Sequence, residues 1–498
     1  MDHERIKHTA LRHKITTVDK VLELFQDGAV VASSGFTKAG DSKVVLPALA
    51  ERNKDYPIKI TLLTGASLGH DTDAKLTSAG VLKRRMPFQV DKVLRQAINK
   101  GEVLFVDQNL SETSEMLTDN QLPTIDIAII EAAFITEDGD IVPTTSVGNS
   151  PIFAQKASKI IIEVNLAVST DLYGLHDIYI PEAYPNRKAI NIFGPSDRIG
   201  ANTIKIDPEK VAAIVFSNKV DSAADIAVID AKTAAIASHL IAFLTNEVKS
   251  GRLTKSLRPL QAGIGKVANA VLAGLEQGDF EGLTMFSEVL QDSSFDLIDS
   301  GKLIFASAAS ITVSEACYKR VFNNLEKYKD KIVLRAQGIS NAAEVIRRLG
   351  VIGINTAIEF DIYGNVNSSH IGGTHMMNGI GGSGDFARNA HMSIFVTQAA
   401  SKGDSISHIL PMVSHVDHNE HNVDVVVTDM GYADLRGLAP RERALKIIQN
   451  CAHPDYKDEL RSYFDRATKE VGGQTPHLLE EAFSWHIRLK QTGTMKRG

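Results

Sequence analysis

The chain has 498 residues, which is too long for one ordinary hydrophobic core and predicts two large domains. Its 43% hydrophobic and 23% charged residues are typical of a soluble globular protein, and a net charge of -6 gives no general attraction to nucleic acid or acidic membranes. The 2 cysteines, Cys317 and Cys451, form no CxxC pattern, which excludes a disulfide scaffold and favours a reducing compartment.

The first fourteen residues, MDHERIKHTALRHK, are polar and charged, so no secretory signal is expected. No apolar run approaches the ~20 residues that a membrane-spanning helix needs. We therefore expect a cytoplasmic protein, or one of an organelle matrix, without a membrane or nucleic-acid partner.

In the first half of the chain, short β-branched segments alternate with helical patterns. Near-continuous apolar strands that alternate with helices indicate a mainly parallel sheet covered on both faces, so the predicted fold class is α/β. Strands are predicted at residues 29–33, 60–64, 102–106, 125–130 and 159–164, and helices at 42–52 and 90–100.

A second round of the same pattern begins near Asp230. Residues 230–250 predict a strong helix with an aspartate at its start, and the chain from Pro440 onward predicts a helical extension. Strands are predicted at 304–305, 332–334, 352–354, 393–396 and 423–427. We accordingly predict two α/β domains, at residues 1–225 and 226–498.

The two rounds also share a weak internal similarity. Residues 130–148 and 358–372 each contain an Ile-Glu pair followed by two glycine turns. Downstream, Phe153 corresponds to Phe386, and the second copy carries an additional nine residues, because the spacing from the last glycine grows from five steps to fourteen. The repeated pattern predicts two similar lobes, with chance similarity as the alternative. The added loop is the place where a functional site is expected.

The added loop contains the sequence NGIGGSGDF at residues 378–386. Its glycines satisfy G-x-G-x-x-G, but a dinucleotide fingerprint directly follows an apolar strand, and residues 373–378 are polar. Four glycines in six residues also give more freedom than a plain turn needs. We therefore favour a loop whose backbone N–H groups approach an anion or a developing oxyanion.

A second glycine turn, QAGIGKVANA at residues 261–270, opens onto a helical pattern. A helix N-terminus preceded by Gly-x-Gly is a seat for an anion, and Lys266 adds a charge; an ordinary helix start is an equal alternative. Glu288 follows 23 residues after Gly265, the length of one helix and one strand, which in a parallel lobe brings the chain back beside the turn. Glu288 stands in the apolar or hydroxylic run GLTMFSEVLQD, where an anion needs a partner, a solvated face or a function.

Other motifs carry less weight. His415, His418 and His421 have an H-x-x-H-x-x-H spacing, but their segment leads straight into a strand, so we expect a polar connection and no metal site. The small-residue turns at 33–36 and 64–69 follow strands, where α/β proteins bind ligands. Neither a G-x-S-x-G elbow nor a Walker sequence occurs, so the common hydrolase and NTPase classes lose support.

Together these pieces resemble the acetyl-CoA hydrolase/transferase family, the class I coenzyme A transferases that include succinyl-CoA:acetate CoA-transferases. The resemblance runs over most of the chain and implies two related α/β lobes of the CoA-transferase type. It is most specific in four segments, GIGKVANAV at 263–271, SEVLQD at 287–292, NTAIEFDIYGNVNSS at 355–369 and THMMNGIGGSGDFARN at 374–389.

By this resemblance Glu288 is the nucleophile, which attacks an acyl-CoA thioester and then carries coenzyme A as a glutamyl thioester. Such a carboxylate must be ionised and partly desolvated, which accounts for its apolar surroundings in the sequence. The backbone N–H groups of Ile264 and Gly382 match the oxyanion hole of the family.

The resemblance also assigns the binding residues. Ser67 and Asn341 match positions that line the small-acid pocket and orient the glutamate, and Asp429 belongs to the same pocket. Coenzyme A, as a substrate, is expected to contact Gly263, Ile264, Gly265, Lys266, Val267, Ile358, Asn378, Gly382 and Lys402.

Two departures concern the acyl acceptor. Asp429 stands where close relatives carry a glutamate, one methylene longer. The arginine expected near residues 220–222 for a second carboxylate is not evident, and Lys219 is the nearest cation. Specificity for succinate is therefore not implied.

The predicted function is CoA transfer between a short-chain acyl-CoA and an acid such as acetate, propionate or succinate. We also expect a homodimer and no tightly bound cofactor. Hydrolysis of the acyl-CoA at the same site is the nearest alternative. From other classes, an NAD-dependent oxidoreductase would use the G-x-G-x-x-G loop, and a non-catalytic CoA sensor would bind without turnover.

Overall fold

The computed structural model describes residues 2–224 and 229–497, so the predicted domain boundary at 225/226 lies outside the described residues. The strands are β1 (Val30–Ser33), β2 (Ile60–Leu63), β3 (Leu82–Met86), β4 (Leu104–Phe105), β5 (Ile127–Ala132), β6 (Phe134–Ile135), β7 (Ile141–Val142), β8 (Lys159–Asn165), β9 (His176–Asp177), β10 (Val211–Ser217), β11 (Leu260–Ala262), β12 (Leu283–Phe286), β13 (Val289–Leu290), β14 (Leu303–Ala308), β15 (Ser310–Ile311), β16 (Ile332–Arg335), β17 (Ile352–Thr356), β18 (Glu359–Asp361), β19 (Val366–Asn367), β20 (His370–Ile371), β21 (His375–Met376), β22 (Met392–Val396), β23 (Ala400–Ser401), β24 (Ile406–Ser407), β25 (Ile409–Leu410), β26 (Val425–Thr428) and β27 (Gly431–Asp434).

The α-helices are α1 (Val18–Leu22), α2 (Val45–Arg52), α3 (Thr72–Ser78), α4 (Lys92–Asn99), α5 (Leu110–Thr118), α6 (Ser150–Lys156), α7 (Ala231–Lys249), α8 (Lys266–Gln277), α9 (Asp292–Asp299), α10 (Glu315–Phe322), α11 (Glu326–Lys329), α12 (Gln337–Ser340), α13 (Ala343–Leu349), α14 (Ser383–Asn389), α15 (Pro440–Cys451), α16 (Pro454–Glu470) and α17 (Ser484–Thr492). Short 3-10 helices lie at Asp2–Arg5, Thr9–Lys14, Thr170–Leu172, Pro208–Lys210 and Glu420–Asn422. Within the described part of the chain, no helix is both long and apolar enough to cross a membrane.

The chain divides into two compact units whose segments alternate along the sequence. The first contains the described residues up to 224 together with 285–298 and 304–349, and the second contains the rest. Glu288 therefore belongs to the first unit, although a long segment of the second unit precedes it in the chain.

The first unit is built on a parallel sheet with the strand order β10-β8-β5-β1-β2-β3-β4. Buried aliphatic side chains from the sheet and its helices, such as Val31, Leu62 and Leu46, form one apolar core. The strand order reverses between β1 and β5, and in open α/β sheets ligands bind at the carboxyl ends of strands beside such a reversal. A further parallel set in this unit runs β14-β16-β9.

In the second unit β26, β22, β17 and β11 are neighbouring parallel strands, and β27 adds an antiparallel edge. The helices α15 to α17 form the predicted C-terminal extension, and they bury Tyr456, Phe464 and Trp485 in one core with Phe395 of β22. The predicted α/β class with mostly parallel sheets is thus confirmed in each unit.

The internal similarity corresponds to a repeated order of elements. β5, the hairpin β6-β7, α6 and β8 match β17, the hairpin β18-β19, α14 and β22, and the outer strands of each set pair in parallel. The two glutamates used to align the repeats are not equivalent, because Glu131 lies in β5 whereas Glu359 begins the hairpin strand β18. A match of two residues cannot set the register, but the glycine turns and helix starts do correspond.

Candidate active site

Glu288 is held by its backbone at the end of β12. The Ser287 N–H donates to the Ser307 carbonyl at 2.9 Å, and the Glu288 carbonyl accepts from Ala309 and Ser310 at 2.9 and 3.1 Å. Glu288 thus lies between the end of β12 and the start of β13, where the backbone of residues 287–288 cannot shift without losing three hydrogen bonds.

The side chain of Glu288 accepts a hydrogen bond from Asn341. Asn341 Nδ2 donates to Glu288 Oε1 at 2.9 Å, and Asn341 is fully buried just after α12. The Ser340 hydroxyl donates to Asn341 Oδ1 at 2.9 Å, so both polar atoms of the Asn341 amide are engaged. The predicted orienting residue and the predicted nucleophile are therefore in direct contact.

The surroundings of Glu288 are apolar. Its neighbours Val289 and Ala309 belong to a buried cluster with Phe36, Ala66 and Leu110. Burial raises the pKa of Glu288 to about 7, and the hydrogen bond from Asn341 acts in the opposite direction. A carboxylate that ionises near neutral pH in a weakly solvating site suits a nucleophile.

Ser67 is 2% exposed and follows β2 in a turn that a buried arginine supports. Arg85 Nη1 donates to Thr64 Oγ1 at 2.8 Å and Arg85 Nη2 to the Ala66 carbonyl at 3.1 Å, while Arg85 Nε pairs with Asp73 at 2.9 Å. Arg85 was not predicted as a supporting residue, because the sequence LKRRM is typical of a charged, exposed segment. Arg85 could have been recognised only from the pairing of β3 with β2, which the sequence does not show.

A cavity of about 590 Å³ opens beside Ser67 in the first unit. Its wall carries the basic side chains of Lys38, His70, Lys75, Lys92 and Lys219 and the acidic side chains of Asp71, Asp73 and Asp91.

The backbone at two edges of this cavity is left-handed at residues other than glycine, namely Thr37, Lys38, His70 and Asp71. Such conformations cost ~1–3 kcal/mol each and persist where surrounding contacts hold them, often at functional sites. Lys219, the cation nearest to residues 220–222 in the sequence, lines the same cavity as Ser67.

Beneath this cavity lies a buried charged group, the Lys43 cluster, made of Lys43, Asp41, Glu131 and Asp221. Lys43 Nζ lies 2.9, 3.1 and 2.8 Å from the three carboxylates, in that order. Asp41 Oδ2 also accepts from the Gly69 N–H at 2.8 Å, so the cluster ties the loop after β1 to the turn that carries Ser67. None of its members had been predicted as a site residue.

In the second unit the glycine turn 263–265 follows β11 and leads into α8. Gly265 has a φ of 111°, and apart from its chain neighbours no described heavy atom lies within 4 Å of the position of a Cβ there. Lys266, the first helical residue, has a half-exposed side chain 4.0 Å from Asp230. This 12-residue helix therefore begins at a turn that is not crowded around the α-carbon of Gly265.

The carboxyl ends of the parallel strands β11, β17, β22 and β26 lie along one edge of the second unit's sheet. Because Gly263 follows β11, Ile358 follows β17 and Asp429 follows β26, these three residues lie at that edge, whereas Lys402 follows the separate short strand β23. Three of the predicted binding positions are thus at the same edge of the sheet.

Two of these residues already have partners. The N–H of Ile358 donates to the Asn367 carbonyl at 2.9 Å and its carbonyl accepts from His408, so only the second lone pair of that carbonyl is left for a ligand. Asp429 Oδ1 accepts from the Ala399 N–H at 2.6 Å, and the exposed Lys402 lies in a left-handed turn just beyond.

The glycine loop, residues 378–384, runs from the hairpin β20-β21 into the first turn of α14 and includes Asn378 and Gly382. It does not directly follow a strand of the parallel sheet, which leaves the dinucleotide fingerprint without its structural context. Ser383, at the end of the loop, contacts His418.

The three histidines of the H-x-x-H-x-x-H spacing have separate partners. His415 stacks on His370, His418 contacts Ser383, and His421 is 80% exposed beside Glu420. Within the described residues, no group of three or more His, Cys, Asp or Glu side chains is arranged to hold a metal ion.

Comparison with protein-family models matches both halves of the chain. The acetyl-CoA hydrolase/transferase N-terminal domain matches residues 2–216, and the C-terminal domain of the same family matches residues 318–464. The chain belongs to the acetyl-CoA hydrolase/transferase family. It is therefore an enzyme of this family, as the motifs around Glu288 and the glycine loops had predicted.

Relatives within the family differ in the activity for which they are named. The chain is 47% identical to a succinyl-CoA:acetate CoA-transferase of Clostridium kluyveri, over 99% of this chain and 92% of the relative. It is 44% identical to an acetyl-CoA hydrolase of Kluyveromyces lactis, over 99% of this chain and 98% of that protein.

Among solved structures, a 4-hydroxybutyrate CoA-transferase from Porphyromonas gingivalis matches with a TM-score of 0.63 at 19% identity, over 92% of this chain and 99% of that chain. At this identity the match supports the fold alone.

Proposed function

We propose that the protein is a CoA-transferase that moves coenzyme A between a short-chain acyl-CoA and a carboxylic acid of the acetate, propionate and succinate class. The observation that carries the proposal is the partly buried carboxylate of Glu288, which has a pKa near 7 and a hydrogen bond from Asn341. The 47% identity to a succinyl-CoA:acetate CoA-transferase over nearly the whole chain supports transfer as the reaction.

In the proposed ping-pong mechanism, a carboxylate oxygen of Glu288 attacks the thioester carbonyl of the acyl-CoA. The carbon–sulfur bond breaks, CoA leaves as the thiolate, and a mixed anhydride remains on the enzyme. The thiolate then attacks the glutamyl carbonyl and expels the first acid as a carboxylate, which leaves a glutamyl-CoA thioester. A second carboxylate reverses these steps and departs as a new acyl-CoA.

Each addition step develops negative charge on a carbonyl oxygen. We assign its stabilisation to the backbone N–H groups of Ile264 and Gly382, and one such donor is typically worth ~3 kcal/mol in the transition state. The start of the helix α8 and Lys266 suit the phosphates of CoA, because a helix N-terminus attracts anions. The same proposal gives binding roles to Gly263, Ile264, Lys266, Val267, Ile358, Asn378 and Lys402.

Ser67 and Asn341 are proposed to bind the carboxylate of the acid, and Asp429 to complete the pocket. Because the cavity beside Ser67 has Lys219 on its wall, a second carboxylate on the acid has a cation available there. A homodimer remains a prediction from the family resemblance. A cytoplasmic or organelle-matrix location remains a prediction from the polar N-terminal residues and the cysteine content.

Hydrolysis is the second candidate, because the Kluyveromyces lactis relative is named an acetyl-CoA hydrolase. Labelled acetate incubated with unlabelled acetyl-CoA distinguishes the two reactions. A transferase incorporates the label into acetyl-CoA and forms a second acyl-CoA only when a second acid is added. Release of free CoA at the full turnover rate, unaffected by any acid, contradicts the proposal and supports a hydrolase.

The pH dependence of kcat/KM follows from the state of Glu288. Because the carboxylate is the reactive form and burial raises its pKa to about 7, kcat/KM is expected to rise with pH to a plateau, with a midpoint near 7. Initial rates in constant-ionic-strength buffers between about pH 5 and 9 measure this midpoint. A midpoint near the ordinary glutamate value of about 4.3 would contradict a desolvated nucleophile.

Replacing Asn341 by alanine removes the hydrogen bond that lowers the pKa of Glu288. We expect the midpoint of kcat/KM to move to higher pH and kcat on the plateau to fall by ~10–100-fold, because the carboxylate also loses its orientation. Asn323→Ala, at an exposed asparagine, is the matched control. An unchanged midpoint in Asn341→Ala would show that Asn341 does not act on the nucleophile.

A further inference from the structure

His418 is fixed within the second unit by contacts on several sides. It is 3% exposed, its ring lies against Phe395 with centroids 4.8 Å apart, and its backbone exchanges hydrogen bonds with Val366 at 2.7 and 3.2 Å. The side chain therefore occupies one position from which it reaches the end of the glycine loop.

The contact with the loop has a defined direction. The Ser383 hydroxyl donates its one hydrogen to the Ile380 carbonyl at 2.7 Å, so it accepts from His418 Nε2 at 3.0 Å. Burial lowers the pKa of His418 to about 4, against the opposing effect of Asp417, so the ring is neutral near pH 7. The neutral tautomer required is the one with hydrogen on Nε2.

The neighbouring Asp417 fixes a second segment. Its carboxylate accepts from the Ser368 N–H at 2.7 Å and from the Ser369 hydroxyl at 2.7 and 2.8 Å. The turn 417–418 thereby connects the loop's end, through His418, with the chain that leads into β20, through Asp417.

We propose that His418 is a positioning residue for CoA transfer: by donating to Ser383 it holds the glycine loop, residues 378–384, in the conformation in which the Gly382 N–H serves the reaction. This inference rests on the proposed function. Ordering this loop costs more entropy than ordering an average loop, because four of its residues are glycines and glycine loses more conformational freedom on ordering than any other residue. An N–H donor stabilises a developing oxyanion efficiently only if it is already oriented, so a tether at the loop's end acts on kcat.

The test compares two variants. His418→Leu retains a side chain of similar size but has no hydrogen-bond donor, whereas His418→Gln restores an N–H donor. We expect His418→Leu to lower kcat by ~10–100-fold with less than about threefold change in the KM for acetyl-CoA, and His418→Gln to recover most of kcat. Ser383→Ala, which leaves the packing of His418 intact, is expected to resemble His418→Leu. His421→Leu, from the same motif but exposed, is the matched control.

Hydrogen–deuterium exchange of the peptide that covers residues 378–384 provides a readout that does not need turnover. Faster exchange confined to this peptide in His418→Leu and Ser383→Ala supports the tether between His418 and the loop. If the wild-type protein transfers no CoA, the tether stands, but its role in CoA transfer fails together with the proposed function. Normal kcat and normal exchange in Ser383→Ala would overturn the inference. A glutamine variant as impaired as the leucine variant would also overturn it, because the hydrogen bond would then not be the cause.

Discussion

Replacing Glu288 by glutamine is expected to lower the exchange of label between acetate and acetyl-CoA by at least about 1,000-fold. The amide keeps the shape of the side chain but is not a nucleophile, so neither the anhydride nor the thioester can form. The rate is measured with labelled acetate and wild-type enzyme as reference. Glu281→Gln, at an exposed glutamate a few residues earlier, is the matched control and should exchange label normally.

The same variant is expected to fold and to be more stable than the wild type at pH 8. The pKa of Glu288 is raised in the folded protein, so the folded state binds the proton more tightly than the unfolded state, and ionisation between about pH 4.5 and 7 costs stability. Glutamine removes this cost, which is on the order of 1–3 kcal/mol at pH 8. A Glu288→Gln variant that retains exchange, or that is inactive because it is unfolded, would contradict this account.

The second large effect is expected at Lys43, whose side chain is buried with three carboxylates. Although burial acts to lower the pKa of Lys43, Asp221, Asp41 and Glu131 together raise it well above its usual value. Lys43→Met leaves these acids without their cation. Removing one partner of a buried ion group is expected to lower the free energy of unfolding by about 3–5 kcal/mol. Urea denaturation followed by circular dichroism measures the loss.

A second substitution separates charge from packing at this position. In the Lys43→Met background, Asp221→Asn removes one uncompensated carboxylate and is expected to restore part of the lost stability. The control is Lys54→Met, which breaks an exposed pair with Glu51 and should leave the urea midpoint unchanged. If Lys43→Met unfolds at the wild-type urea concentration, the cluster does not hold the loops of the first unit.

The elements that could be predicted are those whose signal is local. The strands with β-branched runs, such as Lys159–Asn165, and the helix Ala231–Lys249 were placed within a few residues. Asp230 caps that helix by accepting from the Thr233 N–H at 2.8 Å, as its position in the sequence predicts. Glu288 was singled out because an acid in an apolar run needs a partner, a solvated face or a function, and its predicted role as the nucleophile came from the family resemblance.

The supporting residues could not be predicted, because their partners are distant in the chain. Lys43 and Asp221 are 178 positions apart, and no local pattern relates them. Arg85 lies in a strand that reads as exposed, and its partner Thr64 becomes a neighbour only through the pairing of β2 with β3. His418 was considered as a metal ligand, whereas its contact with Ser383 depends on how the glycine loop folds back.

The most direct test of the central claim is an intact-mass measurement and a peptide map after the purified protein is mixed with acetyl-CoA and no acceptor acid. The account predicts a CoA-sized adduct on the peptide that carries Glu288, discharged when acetate or succinate is added, with the new acyl-CoA as product. Steady release of free thiol without an adduct and without dependence on any acid would contradict it.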